Sequence, residues 1–426
     1  MSRVVVTGVG LVTPLATGTE DTWNGLVEGR SAIGPIKRFD PSSLRTQIGA
    51  EAEDLNGKDW VKNRRSLRMM THADLMAVAA TTLAVQDSGF EITEEAAEDC
   101  AVFVGSNKEV SDVEKMIDGL TSTRDEQGVI DIRRFGEEGM RDVYPLFYVE
   151  GLQAGSLFFV SEGFGLKGEN TYFAGTAEAG GVAVGRAFRA IKRGETKVAL
   201  AGGFDDPVSW WSMAKMDAMD FMTGSNERGE AACRPYDRDR DGTVMGEGAA
   251  FFVLEELESA KARGATPYAE IAGFGSGFDP NYIIKPDREG SALARTIEKA
   301  LAEGGINADE VGYIAAHGEA TRDGDVSEAH AIRSVFGEAN GAVGSSVKGA
   351  TGHLVAGAGA LNAAVAALTL RHGAVPPTLN LEHEDPDCDA LDWVPGEARE
   401  ARPRAVLALA RGFEGQQVAL AMRAVD

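Results

Sequence analysis

Short apolar runs alternate along this chain with longer segments whose apolar positions recur every three to four residues. The short runs predict buried strands at Val4–Gly8, Ala101–Gly105, Val198–Gly202, Phe251–Leu254, Tyr313–Ala316 and Ala405–Ala410. The longer segments predict helices at Ala73–Asp87, Gly180–Arg193, Ser291–Glu303 and Ala358–Arg371. This alternation predicts an α/β fold whose strands are largely parallel and buried.

A weak internal repeat indicates two lobes. The segment AEAGGVAVGRAFRAIKRG (Ala177–Gly194) aligns without gaps with AGAGALNAAVAALTLRHG (Ala356–Gly373). Both segments begin with small residues, which allow close helix packing, and both end at a glycine. The charged stretch Leu257–Pro267 is the expected boundary, which gives halves at residues 1–257 and 258–426. The polar stretch Lys108–Arg141 is expected to be a surface insertion or a subunit contact.

Composition limits which classes of binding partner and which cellular compartment are expected. Apolar residues make up 43% of the 426 residues, and the net charge is −24. An acidic body has no general affinity for nucleic acid or for acidic membranes, and it repels acidic proteins. No apolar run reaches the roughly 20 residues of a membrane helix, and the first residues fit a secretory signal poorly. With three cysteines, the simplest expectation is a reducing, cytoplasmic setting without disulfides.

Two histidines lie in frames of small residues. His317 follows a predicted strand in IAAHGEATRDGD, and His353 precedes a predicted helix in SSVKGATGHLVAGAGA, with Lys348 five residues before it. A histidine at the end of a buried strand is well placed to reach a pocket, and a structural role is the alternative. No spacing of His, Cys or carboxylates indicates a metal site.

Taken together, several motifs resemble one family. CRPYDRDRDGTVMGEGAAFFVLEE (Cys233–Glu256), AHGEATRDGD (Ala316–Asp325) and VKGATGHLVAGAGA (Val347–Ala360) are similar to the β-ketoacyl-acyl-carrier-protein synthases. The opening VVVTGVGLVTP and the late AVPPTLNLEHEDPDCDALDWVP extend the similarity over nearly the whole chain. The resemblance implies the thiolase fold, with two βαβαβαββ halves in five α-β-α-β-α layers, and an obligate dimer.

The same resemblance implies a mechanism and its residues. In the family, a cysteine at a buried helix N-terminus takes the acyl chain from the phosphopantetheine arm of a carrier protein. Two histidines stabilise the enolate formed when malonyl-carrier protein loses carbon dioxide, and a lysine supports one of them. These are His317, His353 and Lys348 here. Backbone N–H groups of the cysteine and of a C-terminal glycine-rich loop bind the thioester oxyanion.

The nucleophile departs from the family pattern. Aligning the central helix places Ala177 in the cysteine slot, followed by Glu178, and none of Cys100, Cys233 and Cys388 lies near this position in the sequence. Alanine has no titratable group. Glu178 is expected to be a carboxylate stabilised by the helix dipole, with a plug or a mimic of a charged intermediate as the alternative.

Two further departures affect the carrier-arm channel and the oxyanion loop. In the family frame HGT-x-T, two hydroxyls bind the phosphopantetheine arm; here Thr321 remains, while Glu319 is expected to crowd or repel the channel. The loop GFGGTN reads GFEGQQ, in which Phe413 keeps the gating aromatic and Glu414 replaces a glycine. Arg411 stands where an aromatic or small residue is usual.

These features predict a chain-length factor, the ketosynthase β subunit of a type II polyketide synthase. Such a subunit has no cofactor of its own; it pairs with an active ketosynthase, which supplies most of the carrier-protein contact, and it shapes the acyl cavity. The runner-up is a malonyl-carrier-protein decarboxylase using His317, His353 and Lys348. A condensing enzyme with an unusual nucleophile and a structural homodimer are further alternatives. The apolar segments Pro145–Val160 and Ser209–Met222 are expected to line the interface or cavity, or else to be ordinary core.

Overall fold

One large sheet organises the chain. The computed structural model describes residues 2–109, 113–337 and 341–425. Within these residues, eleven strands form a continuous sheet. They are β1 (Val4–Val12), β2 (Cys100–Ser106), β3 (Asn170–Ala174), β4 (Val198–Asp205), β5 (Gly248–Glu256), β6 (Ala269–Phe278), β7 (Val311–Ala315), β8 (Val343–Ser345), β9 (Asp392–Trp393), β10 (Ala405–Arg411) and β11 (Gln416–Arg423).

The strand order reveals a duplication. The sheet runs β9-β8-β7-β10-β11-β6-β1-β5-β4-β2-β3, so that β3-β2-β4-β5-β1 and β8-β7-β10-β11-β6 repeat one order. Within each repeat the first three of these strands are parallel, the fourth pairs antiparallel with the third, and the fifth pairs antiparallel with the fourth. The repeats join where β1 pairs with β6 over three residues of each strand. The predicted pair of βαβαβαββ halves is therefore confirmed.

Three helices in each half complete the repeat. They are α1 (His72–Ser88), α2 (Gly155–Phe164), α3 (Ala179–Lys192), α4 (Ser291–Gly304), α5 (Arg322–Phe336) and α6 (Ala358–His372). Helices α3 and α6 pack against each other and against strands of both halves, while α1 covers the outer face of one half and α4 that of the other. This arrangement gives the five layers that the family resemblance implies.

Small residues allow the two central helices to approach closely. A Cβ atom on Gly180 would lie 2.8 Å from the carbonyl oxygen of Ala356, and one on Gly359 would lie 2.8 Å from that of Ala177. Such distances leave no room for a side chain, so glycine is required where the N-terminal ends of α3 and α6 meet. The faint sequence repeat thus marks the centre of the molecule.

All six predicted strands and four predicted helices occur, with ends that shift by a few residues. Near the site, β7 ends at Ala315, one residue before the predicted end at Ala316. Shorter helices and two-residue strands lie between the main elements. They are the helices Thr19–Val27, Gly57–Trp60, Glu94–Asp99, Glu114–Thr121, Ile132–Glu137, Phe147–Glu150, Trp210–Ala218, Leu257–Ala262 and Lys348–Thr351, and the strands Gly34–Pro35, Ile48–Gly49, Ala374–Val375 and Arg399–Glu400.

The predicted surface insertion Lys108–Arg141 is exposed over most of its described length, and its residues 110–112 lie outside the described residues. Its first residue corrects the expectation, because Lys108 is buried and donates to Asp74 Oδ2 at 2.8 Å. The predicted segment Ser209–Met222 divides between core, where Met213 and Phe221 are buried, and half-exposed tryptophans. In the part of the chain described, no helix has the length and apolarity to cross a membrane.

Candidate active site

His317 lies two residues after the end of β7. Its backbone is held by a buried carboxylate on α5, that of Glu328, which sequence analysis missed. The backbone N–H of His317 donates to Glu328 Oε1 at 2.7 Å, and that of Gly318 donates to Glu328 Oε2 at 2.7 Å. Tyr236 Oη donates to the same Oε2 at 2.8 Å. Glu328 lies three residues after Asp325 on α5, and this spacing of two acids on one helical face was the available signal.

A strained turn positions His353. Val355 has φ 40°, which is rare for a β-branched residue, and its N–H donates to His353 Nδ1 at 3.0 Å. Because Nδ1 accepts this bond, the ring proton is assigned to Nε2. The His353 side chain is fully buried, and none of the described residues accepts a hydrogen bond from its Nε2. His353 therefore presents an unused N–H donor at the centre of the site.

His317 has no such free donor. Its Nε2 lies 3.0 Å from Glu319 Oε2, while Lys348 Nζ lies 3.5 Å from its Nδ1 and also donates to its backbone carbonyl. The lysine donors next to Nδ1 assign the ring proton to Nε2, which then donates to Glu319. The predicted set of two histidines and one lysine is thus assembled, with ring centroids of His317 and His353 5.3 Å apart.

Arg411 balances the charge of Glu319. Arg411 Nη2 donates to Glu319 Oε1, and Thr321 Oγ1 donates to the same oxygen at 2.6 Å. Arg411 is the last residue of β10, and Glu319 lies four residues after the end of the neighbouring parallel strand β7. The expectation that Glu319 repels the channel is therefore wrong in its electrostatics, since the carboxylate is paired within the chain. Arg411 and Glu319 were both noted in the sequence, but their pairing was not predicted.

Burial and these contacts fix the charges. Desolvation and the Lys348 cation lower the pKa of His317 to about 4 and hold that of His353 well below its usual value, so both rings are neutral at pH 7. Desolvation lowers the pKa of Lys348 to about 8. Although burial opposes it, Arg411 and the His317 hydrogen bond keep the pKa of Glu319 well below its usual range.

Two aromatic rings and a small surface pocket border the histidines. Phe413 lies 5.6 Å from His353 and 4.8 Å from Phe221 between ring centroids. Phe413 is the predicted gating aromatic. The pocket opens beside these rings and reaches the charged pair; its walls include Tyr282, Lys285, Glu319, Arg411, Gly412 and Phe413.

The oxyanion loop is tied to the residue before Ala177. The N–H of Phe413 donates to Thr176 Oγ1 at 2.8 Å, and Thr176 Oγ1 donates to Glu414 Oε2 at 3.1 Å. Ala177 itself is fully buried at the start of α3. One N–H of the loop that the family resemblance assigns to oxyanion binding is therefore already satisfied by a hydroxyl of this chain.

Glu178 corrects a prediction. Its carboxyl oxygens lie so close to Gly175 and Gly412 that a Cβ atom at either glycine would clash with them. Desolvation, together with the nearby carboxylate of Glu414, raises the pKa of Glu178 to about 7. The expectation of a carboxylate stabilised by the helix dipole is therefore wrong, because burial outweighs the dipole. The side chain fills the space between two glycine-lined segments, as the plug alternative requires.

His317, Glu319 and His353 are also side-chain types that bind metals. Among the described residues, one ligand atom from each of His317, Glu319 and His353 lies within 4.8 Å of the others. A metal would need a lone pair on the nitrogen that faces it, whereas both rings carry their proton on Nε2. The Lys348 cation beside this set adds repulsion. The set fits hydrogen-bond donation to an oxygen better than metal binding.

Comparisons with known proteins agree with this architecture. Residues 1–260 match the model of the β-ketoacyl synthase N-terminal domain, and residues 268–382 match that of its C-terminal domain. The chain belongs to the β-ketoacyl synthase family.

Relatives in this family cover the full chain. A "3-oxoacyl-[acyl-carrier-protein] synthase 2" of Synechocystis sp. is 36% identical over 99% of this chain and 98% of its own, and one from Staphylococcus aureus is 33% identical over the same shares. "The ishigamide ketosynthase/chain length factor" superposes with TM-score 0.89 at 31% identity over 100% of both chains. A type II polyketide synthase acyl-carrier protein in complex with its ketosynthase bound to the hexaketide gives TM-score 0.86 at 28% identity, again over 100% of both chains.

Proposed function

We propose that this chain is a nucleophile-lacking β-ketoacyl synthase subunit, of the chain-length-factor type, that pairs with an active ketosynthase and shapes its acyl cavity. The observation that carries the proposal is the fully buried methyl group of Ala177 at the start of α3. Cys100, Cys233 and Cys388 are buried elsewhere, and burial raises the pKa of each thiol, to about 12 for the first two. None is a reactive thiolate at neutral pH.

The oxyanion loop supports the same reading. An acyl-transfer site needs N–H donors left free for the developing negative charge. Here the N–H of Phe413 is bound by Thr176, and the carboxyl group of Glu178 fills the space beside Gly412. A chain that neither forms a thioester nor offers this donor contributes to elongation by its shape.

The proposed partner surface surrounds an open sheet edge. Strand β3 ends the sheet and pairs only with β2 among the described strands, so its outer N–H and C=O groups are available to a partner strand. Half-exposed or exposed apolar side chains lie between residues 113 and 165. They are Ile117, Val129, Ile130, Ile132, Met140, Tyr148, Leu152 and Phe158. An obligate interface of about 2,000–5,000 Å² would cover such side chains.

The partner ketosynthase also provides the binding surface for the acyl carrier protein in this proposal. With a net charge of −24, this chain repels an acidic acyl carrier protein, so the active ketosynthase provides the basic docking face. The acyl group arrives on the phosphopantetheine arm of the carrier protein. The protein described here needs no cofactor of its own. We place its two halves at residues 1–257 and 258–426, and we assign Glu178, Thr321 and Phe413 to the boundary of the shared cavity.

The decarboxylase alternative is weaker. Retained His317, Lys348 and His353 favour it, but a decarboxylase needs both imidazole N–H groups for the enolate oxygen. His317 gives its Nε2–H to Glu319 instead. One donor of the pair is therefore occupied.

The proposal predicts an active ketosynthase encoded beside this chain, and the test is reconstitution with that protein. We expect a 1:1 complex by mass, and a product distribution set by this subunit when carrier protein and malonyl donor are added. The control is the ketosynthase alone under the same conditions. A ketosynthase that forms no complex with this chain, or gives the same products without it, contradicts the proposal, as does elongation by the isolated chain.

A further inference from the structure

The retained histidine pair is unequal, and the difference is a single carboxylate. His353 Nε2–H has no acceptor among the described residues, although it is fully buried. His317 Nε2–H donates to Glu319 Oε2 at 3.0 Å. A buried donor without a partner destabilises the fold, and a ligand oxygen that accepts from His353 Nε2–H would remove this penalty. The Glu319 carboxylate satisfies the corresponding donor of His317.

Glu319 is held in this position by three groups. Thr321 and Arg411 donate to Oε1, and His317 donates to Oε2. Arg411 also approaches the carbonyl oxygen of Gly324 at 3.5 Å. The side chains of Arg411 and Glu319 are 8% and 2% exposed, so water does not compete for the ion pair. Thr321 and Arg411 therefore hold the carboxylate against His317.

The remainder of an oxygen-binding site is present. The two rings meet edge to face with centroids 5.3 Å apart, Lys348 supports His317, and both imidazoles are neutral donors at pH 7. A surface pocket reaches Glu319 and Arg411 from solvent. Because Glu319 also contacts His317, smaller side chains in place of the charged pair would extend this pocket towards that ring.

We propose that the Glu319–Arg411 pair is a built-in block that occupies His317, and that removing both side chains uncovers decarboxylation of malonyl thioesters. In that reaction the bond between the carboxylate carbon and the α-carbon breaks and carbon dioxide leaves. The electron pair forms an enolate whose oxygen accepts Nε2–H from both histidines, and a proton from water gives the acetyl thioester. This inference goes beyond the proposed function, in which the subunit lacks a nucleophile for condensation, by naming what keeps its histidine pair from decarboxylating malonyl thioesters.

The experiment compares the isolated chain with the double variant Glu319→Thr/Arg411→Ala, using malonyl-coenzyme A and a malonyl carrier protein and measuring carbon dioxide release. Restoring one oxyanion donor is worth about 10²–10³-fold in rate, so we expect about a hundredfold increase over wild type. Adding His353→Ala should return the rate to the wild-type level. Replacing the buried pair Asp74→Asn/Lys108→Met, which removes an ion pair away from His317, should leave release at the wild-type level.

A second double variant, Glu319→Thr/Arg411→Leu, keeps more of the buried volume. The melting temperature of every variant shows whether that variant is folded. The ¹H NMR spectrum of the histidine N–H groups supplies an independent readout. In the wild type the carboxylate of Glu319 shifts the Nε2–H signal of His317 downfield, and this downfield signal should disappear in both double variants. Folded double variants that release carbon dioxide at the wild-type rate overturn the proposal. That result would leave the cavity-shaping role untouched, since complex formation and product length test it separately.

Discussion

Removing Arg411 alone should destabilise the protein more than removing Arg411 and Glu319 together. In Arg411→Ala, the carboxylate of Glu319 stays buried at 2% exposure with its cation gone. Breaking a buried pair by deleting one partner costs about 3–5 kcal/mol, whereas replacing both partners is often nearly neutral. An unfolding entropy of about 2.1 cal/mol/K per residue gives about 0.9 kcal/mol/K for 426 residues. The melting temperature should therefore fall by about 3–6 °C.

The pH dependence separates charge from packing. In the wild type, Arg411 lowers the pKa of Glu319, so the stability from this pair is present above the unfolded-state value of 4.5 and is lost as pH falls through the lower folded value. Without Arg411, burial raises the pKa of Glu319, and a protonated carboxyl needs no cation. The deficit of Arg411→Ala relative to wild type should therefore narrow as pH falls from about 8 to about 5.

Calorimetry or thermal circular dichroism on wild type, Arg411→Ala, Glu319→Thr and the double variant gives the full cycle. We expect a coupling energy of about 2 kcal/mol or more at pH 8, which shrinks at pH 5. The matched reference is Arg3→Ala, which removes a 40% exposed arginine that shares Glu270 with Arg423. A deficit that is constant with pH, or a double variant as unstable as the sum of the single variants, would refute the electrostatic account.

Three other predictions test the site and the interface. Burial raises the pKa of Glu178 from 4.5 to about 7, so stability should fall by about 3 kcal/mol as pH rises through this window, and Glu178→Gln should remove that slope in a melting series. Ala177→Cys should remain without an acyl adduct by mass spectrometry, whereas Thr176→Ala/Ala177→Cys, which frees the N–H of Phe413, should be acylated; equal labelling of both would contradict the role of Thr176. Phe158 is 54% exposed, so Phe158→Ala should change the stability of the isolated chain by no more than about 0.5 kcal/mol while weakening the complex with the ketosynthase, and an unchanged complex by sedimentation would exclude this residue from the interface.

Local pattern was sufficient for the secondary-structure elements and for the absence of a reactive group at position 177. The apolar periodicity of α3 and α6 and the runs at β4 and β10 reflect burial on both faces, a property that each segment carries in its own residues. The faint repeat between residues 177–194 and 356–373 also survives in sequence, because glycine is needed wherever two backbones touch. The alanine at position 177 can be read directly, since a methyl group has no chemistry that folding could restore.

Only the tertiary structure decided how the remaining polar groups are paired. Arg411 meets Glu319 across 92 positions of sequence, and the N–H of Phe413 meets Thr176 across 237. These contacts exist because parallel strands of one sheet end side by side and because the C-terminal loop folds over the start of α3. Charge state follows the same rule: helix position alone suggested an ionised Glu178, but desolvation depends on what packs around the carboxyl group, and that is fixed only when distant segments come together.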